Sequence, residues 1–178
     1  TGTIKVTITG KGNYEGEVIR EYKITKRTVT LKSADLSKSY DGTELVNGET
    51  ALETETGWAD GEGATYTFTG SQTLVGSSKN TFTYTLKSNT EAGNYTITKT
   101  AGSLTVTAKS VSGMKVDKPS NQQYDGKEHK WEPTVQDGEK TLEKGTDYTV
   151  AYNKSDFTNV TGTIKVTITG KGNYEGEV

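Results

Sequence analysis

The chain has 178 residues, 21 Lys and Arg against 23 Asp and Glu, one His and no Cys. The net charge of −2 is spread along the chain, which leaves no basic stripe for nucleic acid, and no apolar run is long enough to cross a membrane as a helix. Without Cys there are no disulfides, zinc–thiolate sites or thiol nucleophiles.

Large aliphatic residues are sparse, but the low charge and their regular spacing argue for a folded chain. Ten Tyr add core material, and a high Thr content suits pleated strands because Thr is β-branched. From the start, Thr3–Thr9 alternates strictly, with Ile4, Val6 and Ile8 on one face, and predicts a half-buried strand. Residues 46–53 allow one short helical turn at most. Further strands are predicted at 64–69 (Tyr66, Phe68 inward), 81–87 (Phe82, Tyr84, Leu86), 103–108 (Leu104, Val106, Ala108) and 148–152 (Tyr148, Val150, Tyr152). Asp-Gly pairs at 41–42, 60–61, 125–126 and 137–138, and Gly-Asn pairs at 12–13, 93–94 and 172–173, supply tight turns between them. The chain reads as all-β, with strands short enough for sandwiches.

Residues 1–18 (TGTIKVTITGKGNYEGEV) recur letter for letter as residues 161–178. Even exposed Lys and Glu positions are copied, which marks duplication of a whole cassette. A fainter repeat lies inside it: Tyr40-Asp41-Gly42 answers Tyr124-Asp125-Gly126, and Gly93-Asn94-Tyr95 answers Gly172-Asn173-Tyr174. The expected organisation is two tandem small Ig-like β-sandwich modules, the second circularly split between the chain ends. Residues 1–27 hold the closing strands of a preceding module B, residues 28–109 form module A, and residues 110–178 form module B without its last strand. The sequence of that strand stands at residues 19–25. Either an array continues covalently, the simpler arrangement, or residues 19–25 of one chain complete module B of its neighbour head to tail. The stretches 25–28 and 107–110 contain no Gly and read as short, semi-rigid joints.

The order Tyr-Asp-Gly, Gly-Asn-Tyr, closing strand resembles the YDG/MBG-type tandem repeats of bacterial cell-surface adhesins. Its carriers are Lys38–Thr43 and Ala92–Ile97 in one half, and Tyr124–Lys127, Leu142–Val150 and Ile168–Tyr174 in the other. The resemblance implies an extracellular, cell-wall-anchored protein of a Gram-positive-type bacterium, in which such modules form a stalk. It implies no catalytic or ligand residues. Locally, Asp would cap a turn, Gly would take the left-handed conformation, and the Tyr ring would pack on the core.

No constellation for catalysis appears. His129 has no evident nucleophile beside it, and Asp35, Asp60, Glu62, Asp137 and Glu139 form no calcium loop. Neither a metal nor a cofactor is expected. Trp58, in a turn-like stretch, and Tyr66 are the candidates for contact with a glycan or a host protein, against the plainer reading that they fill the core. The strand residues Lys5, Lys23 and Lys87 alternate with apolar positions, so they should face solvent and not form internal amide cross-links. The expected function is a structural spacer in an adhesin, with a repeated adhesive module as the alternative.

Overall fold

A computed structural model of the chain describes residues 2–48 and 51–178. Glu49 and Thr50, inside the stretch where a helical turn was allowed, lie outside the described residues. Among those described, regular structure is β apart from a 3₁₀ turn at Ala92–Asn94. The strands are β1 (Ile4–Thr9), β2 (Glu17–Tyr22), β3 (Arg27–Lys32), β4 (Leu36–Ser39), β5 (Leu45–Val46) and β6 (Thr54–Thr56). They continue as β7 (Ala64–Phe68), β8 (Ser71–Gln72), β9 (Gly76–Asn80), β10 (Phe82–Leu86), β11 (Tyr95–Thr100) and β12 (Gly102–Thr107). The last are β13 (Lys109–Ser110), β14 (Lys115–Val116), β15 (Val135–Asp137), β16 (Lys140–Thr141), β17 (Tyr148–Tyr152), β18 (Val166–Gly170) and β19 (Tyr174–Glu175). They form small sheets of two or three strands.

The chain folds as two compact units: residues 1–34, 48–69 and 81–102 in the first, and residues 35–47, 70–80 and 103–178 in the second. The stretch 107–110, expected as a joint, is instead built into the second unit. There Lys109 and Ser110 pair in parallel with Tyr174 and Glu175, and the Lys109 N–H donates to the Asn173 carbonyl at 3.0 Å.

In the first unit β3 lies between β11, parallel to it, and β6, antiparallel. The alternation Thr28-Val29-Thr30-Leu31 turns Val29 and Leu31 inward, where both are fully buried with Phe82 and Tyr95. Phe82 meets Tyr66 edge-on at 6.2 Å and Phe68 at 5.9 Å. Tyr84, expected on the same inward face as Phe82, stays 37% exposed, so β10 is covered mainly at its Phe82 end. Gly57 has φ +97°, and a Cβ there would run into the Thr28 carbonyl, so only Gly lets this loop lie against β3.

In the second unit β12 lies between β4, in parallel register, and β9. β14, β15 and β16 form a second small sheet, and β17 pairs antiparallel with β18. The core joins Tyr40, Val106, Val111, Val135, Leu142, Tyr148, Ile168 and Tyr174. Tyr40 packs edge-on against Tyr174 at 5.6 Å, as expected of the Tyr in Tyr-Asp-Gly, but Tyr124, from which the same was expected, is 64% exposed.

The duplicated segment folds alike both times. In the first copy Ile8 faces Val18 and Thr9 faces Glu17 across the β1–β2 hairpin. In the second, Ile168 exchanges backbone hydrogen bonds with Val178 at 2.8 and 2.9 Å, and Thr169 bridges to Glu177. The Gly10 and Gly170 amides each donate to the carbonyl six residues on, Gly16 and Gly176, at 2.9 Å. Even the side-chain bond recurs, from Thr9 to Glu17 at 3.3 Å and from Thr169 to Glu177 at 3.1 Å.

Burial does not recur. Ile4, Val6 and Ile8 were expected to be half-buried, but they are 38%, 42% and 59% exposed. The corresponding Ile164 and Val166 are half-buried and Ile168 is only 3% exposed. The difference is the neighbour: β17 flanks β18, whereas among the described residues β1 pairs with β2 alone.

Candidate functional site

The two Tyr-Asp-Gly turns show what is local and what is not. Asp41 Oδ1 accepts from the Thr43 N–H and hydroxyl, each at 2.8 Å, and Gly42 has φ +79°. Asp125 Oδ1 accepts from the Lys127 N–H at 2.9 Å, and Gly126 has φ +78°. Both are Asx turns with a left-handed Gly, as the sequence requires. The Lys38 ammonium on Asp41, followed by the Thr43 donors, holds that carboxyl well below the usual carboxylate range. The Lys127 amide, followed by the His129 ring at 2.8 Å, lowers the Asp125 carboxyl from its ordinary value.

The Tyr residues differ. Tyr40 is 8% exposed, whereas Tyr124 is 64% exposed. The sequence around them differs in pairing too. Leu36–Ser39, which leads into Tyr40, is strand β4 and pairs in parallel with Leu104–Thr107. Residues 120–123, which lead into Tyr124, form no strand and are exposed.

Those unpaired residues line one side of a groove of about 480 Å³ in the second unit. The other side is the stretch 157–164 and Val166, and Trp131, Tyr152 and Phe157 also line it. The aromatic groups are fixed. Tyr152 meets Phe157 edge-on at 5.1 Å, its hydroxyl donates to the Trp131 carbonyl at 2.7 Å, and the Trp131 indole N–H donates to Asp117 at 3.3 Å. The His129 amide ties this wall to the Phe157 carbonyl at 2.8 Å. Lys130 lies 5.0 Å from the centre of the Tyr152 ring. Burial pushes the Tyr152 hydroxyl above its ordinary pKa, with nearby Glu132 acting in the same direction. The groove thus combines packed aromatic surface with a stretch, residues 120–123, that belongs to no strand.

The other sequence candidates fall elsewhere. Trp58 is half-buried and meets Tyr95 edge-on at 4.9 Å. Tyr66 is half-buried, and its hydroxyl donates to Glu55 at 2.6 Å. Burial, then Glu55, raises the pKa of that hydroxyl. Both pack against the core cluster of the first unit. His129 lines the groove and bonds Asp125.

Three of the five carboxylates considered for calcium are engaged by protein donors. Asp35 accepts from the Ser103 N–H and hydroxyl at 2.7 Å, Glu62 from the Tyr95 hydroxyl at 2.5 Å, and Asp137 from Lys109 at 2.6 Å. Among the described residues no group of three potential ligands gathers around a common point. Sequence reasoning missed Tyr124, Tyr152 and Phe157 as groove residues. The signal was available in the repeat, because Tyr124 stands where Tyr40 finds a buried partner. No known protein family, curated protein or solved structure matches the chain.

Proposed function

We propose that the chain is a spacer segment of a tandem array, built from two small Ig-like sandwich modules per cassette and serving to project a distal domain from a bacterial cell surface. The observation that carries this reading is the duplicated segment. An identical stretch 160 positions on, counting residue 161 against residue 1, folds into the same hairpin with the same register and the same Thr–Glu bond. Copying of exposed positions as well as inward ones is what recent duplication of a length unit leaves behind. A repeat whose units stack end to end gains reach with each copy.

The test is small-angle X-ray scattering on recombinant proteins of one, two and four cassettes. The maximum dimension should rise in proportion to cassette number. Growth with roughly the cube root of mass, as for a compact globule, would refute the spacer role.

A further inference from the structure

Parallel pairing in this chain joins strands that lie far apart in sequence. In the first unit each residue from Arg27 to Lys32 pairs with one from Tyr95 to Thr100. In the second unit Leu36–Ser39 pairs with Leu104–Thr107, and Lys109–Ser110 with Tyr174–Glu175. The β3–β11 and β4–β12 ladders keep one offset, since Tyr95 stands 68 positions after Arg27 and Leu104 stands 68 after Leu36. Further bonds lengthen both. In the first unit the Ser33 N–H donates to the Thr100 carbonyl at 3.2 Å, and the Gly102 N–H to the Ser33 hydroxyl at 2.9 Å. In the second, the Ser103 N–H and hydroxyl both donate to Asp35 at 2.7 Å, and the Tyr40 N–H to the Thr107 carbonyl at 2.8 Å.

Strand polarity decides how such a ladder meets a pull along the chain. The earlier strand of a parallel pair is drawn backwards by its N-terminal end, and the later strand forwards by its C-terminal end. The two are driven to slide past each other, so the evenly spaced rungs are strained together. A pair pulled from neighbouring ends opens one rung at a time. The rungs are also shielded on one face, because Val29, Leu31 and Leu104 are 0% exposed and Val106 is 1% exposed. Water is therefore kept from replacing each bond as it stretches.

We propose that these parallel ladders are mechanical clamps, in which tension carried along the chain crosses from β3 to β11 and from β4 to β12 through rungs sheared together. While the rungs hold, the chain between the paired strands is bypassed and stays folded. The inference takes from the spacer reading only that the chain is pulled by its ends. It goes beyond that reading, because reach alone requires no particular strand polarity.

The test is single-molecule force spectroscopy on the full chain, held through pairs of introduced cysteines, since the sequence has none of its own. Lys26, Asn94 and Thr100 are exposed and can carry the handles. Lys26→Cys with Thr100→Cys pulls the β3–β11 pair by opposite ends, and Lys26→Cys with Asn94→Cys pulls it by neighbouring ends. At one loading rate the first geometry should rupture at a force at least about twofold higher, because forced unfolding is set by the barrier and that barrier holds several rungs instead of one. The rupture should release up to about 250 Å in a single step, at roughly 3.4 Å for each residue from Arg27 to Thr100. Thr28→Cys, also exposed, stands in for Lys26→Cys if that handle shifts the urea midpoint. Equal rupture forces in the two geometries, or a higher force from neighbouring ends, overturn the clamp. Growth of the scattering dimension with cassette number would be untouched by that outcome, and compact scattering would leave the pulling comparison standing.

Discussion

Removing the same side chain from the two copies of one sequence isolates the contribution of tertiary context. Ile8→Ala and Ile168→Ala each delete Cγ1, Cγ2 and Cδ1 from residues with identical sequence neighbours, the same hairpin register and the same Gly-to-Gly backbone bond. The lost preference of a β-branched residue for a strand is common to both and drops out of the comparison. Ile168 is 3% exposed and belongs to the core with Val106, Tyr148 and Tyr174. At about 0.8 kcal/mol per buried methylene, the transfer term is about 2.4 kcal/mol. A residual cavity adds to it, giving about 3 kcal/mol within the usual range for such truncations. Ile8 is 59% exposed, leaves no enclosed void, and should cost less than about 1 kcal/mol. Each unit carries its own reporter, Trp58 in the first and Trp131 in the second. Urea unfolding of Ile168→Ala is therefore followed through Trp131 in a Trp58→Phe background, and of Ile8→Ala through Trp58 in a Trp131→Phe background. A gap of about 2 kcal/mol is expected between the two. Equal losses, or a larger loss at Ile8, would refute the claim that the covering strands, and not the hairpin, give this segment its stability.

Gly57→Ala should destabilise the first unit by more than about 2 kcal/mol, since a positive φ and a backbone carbonyl in the path of the new methyl both oppose it. A Trp58-detected urea midpoint equal to wild type would contradict that. Glu132 is contacted by both Lys144 and Lys130, which hold its carboxyl down from 4.5 to about 2. A depressed carboxylate stabilises the fold above its unfolded pKa and ceases to do so as pH falls through its folded value. Wild type should therefore lose stability relative to Glu132→Gln as pH is lowered from about 4.5 to about 2, and parallel acid titrations monitored by Trp131 would exclude the effect. Lys109 and Asp137 lie 2.6 Å apart, but the Lys109 side chain is 38% exposed, and an amide cross-link needs a desolvated amine. Intact mass should equal that of the sequence, and a loss of water would show the bond.

Of the groove, one part was legible in the sequence. Val166 stands in a copy of the predicted strand Thr3–Thr9, so its place in a strand could be read from the repeat alone. Which other residues line the groove could not be read. Tyr152 alternates with Val150 along its strand and looks like ordinary core. Phe157 sits in a polar loop, and residues 120–123 carry no apolar pattern. They come together because β17 and β18 pair and because the His129 amide bonds the Phe157 carbonyl. Those contacts join stretches separated by a dozen residues or more.

Local chemistry determined the turns and registers of this chain. Asp-Gly with a donor two residues on gives the same Asx turn at 41–43 and 125–127, and TGKGNYEGE closes the same hairpin wherever it stands, because a turn is decided by residues a few bonds apart. Gly93-Asn94 marks the limit of that rule: Gly93 takes no left-handed conformation and the pair forms part of a 3₁₀ turn. Only the tertiary structure decided what is inside. Tyr14 and Tyr174 occupy the same place in the same sequence, yet one is 80% exposed and the other 2%. Burial depends on which distant strand supplies the opposing surface, and Tyr40 supplies it for Tyr174 from far along the chain.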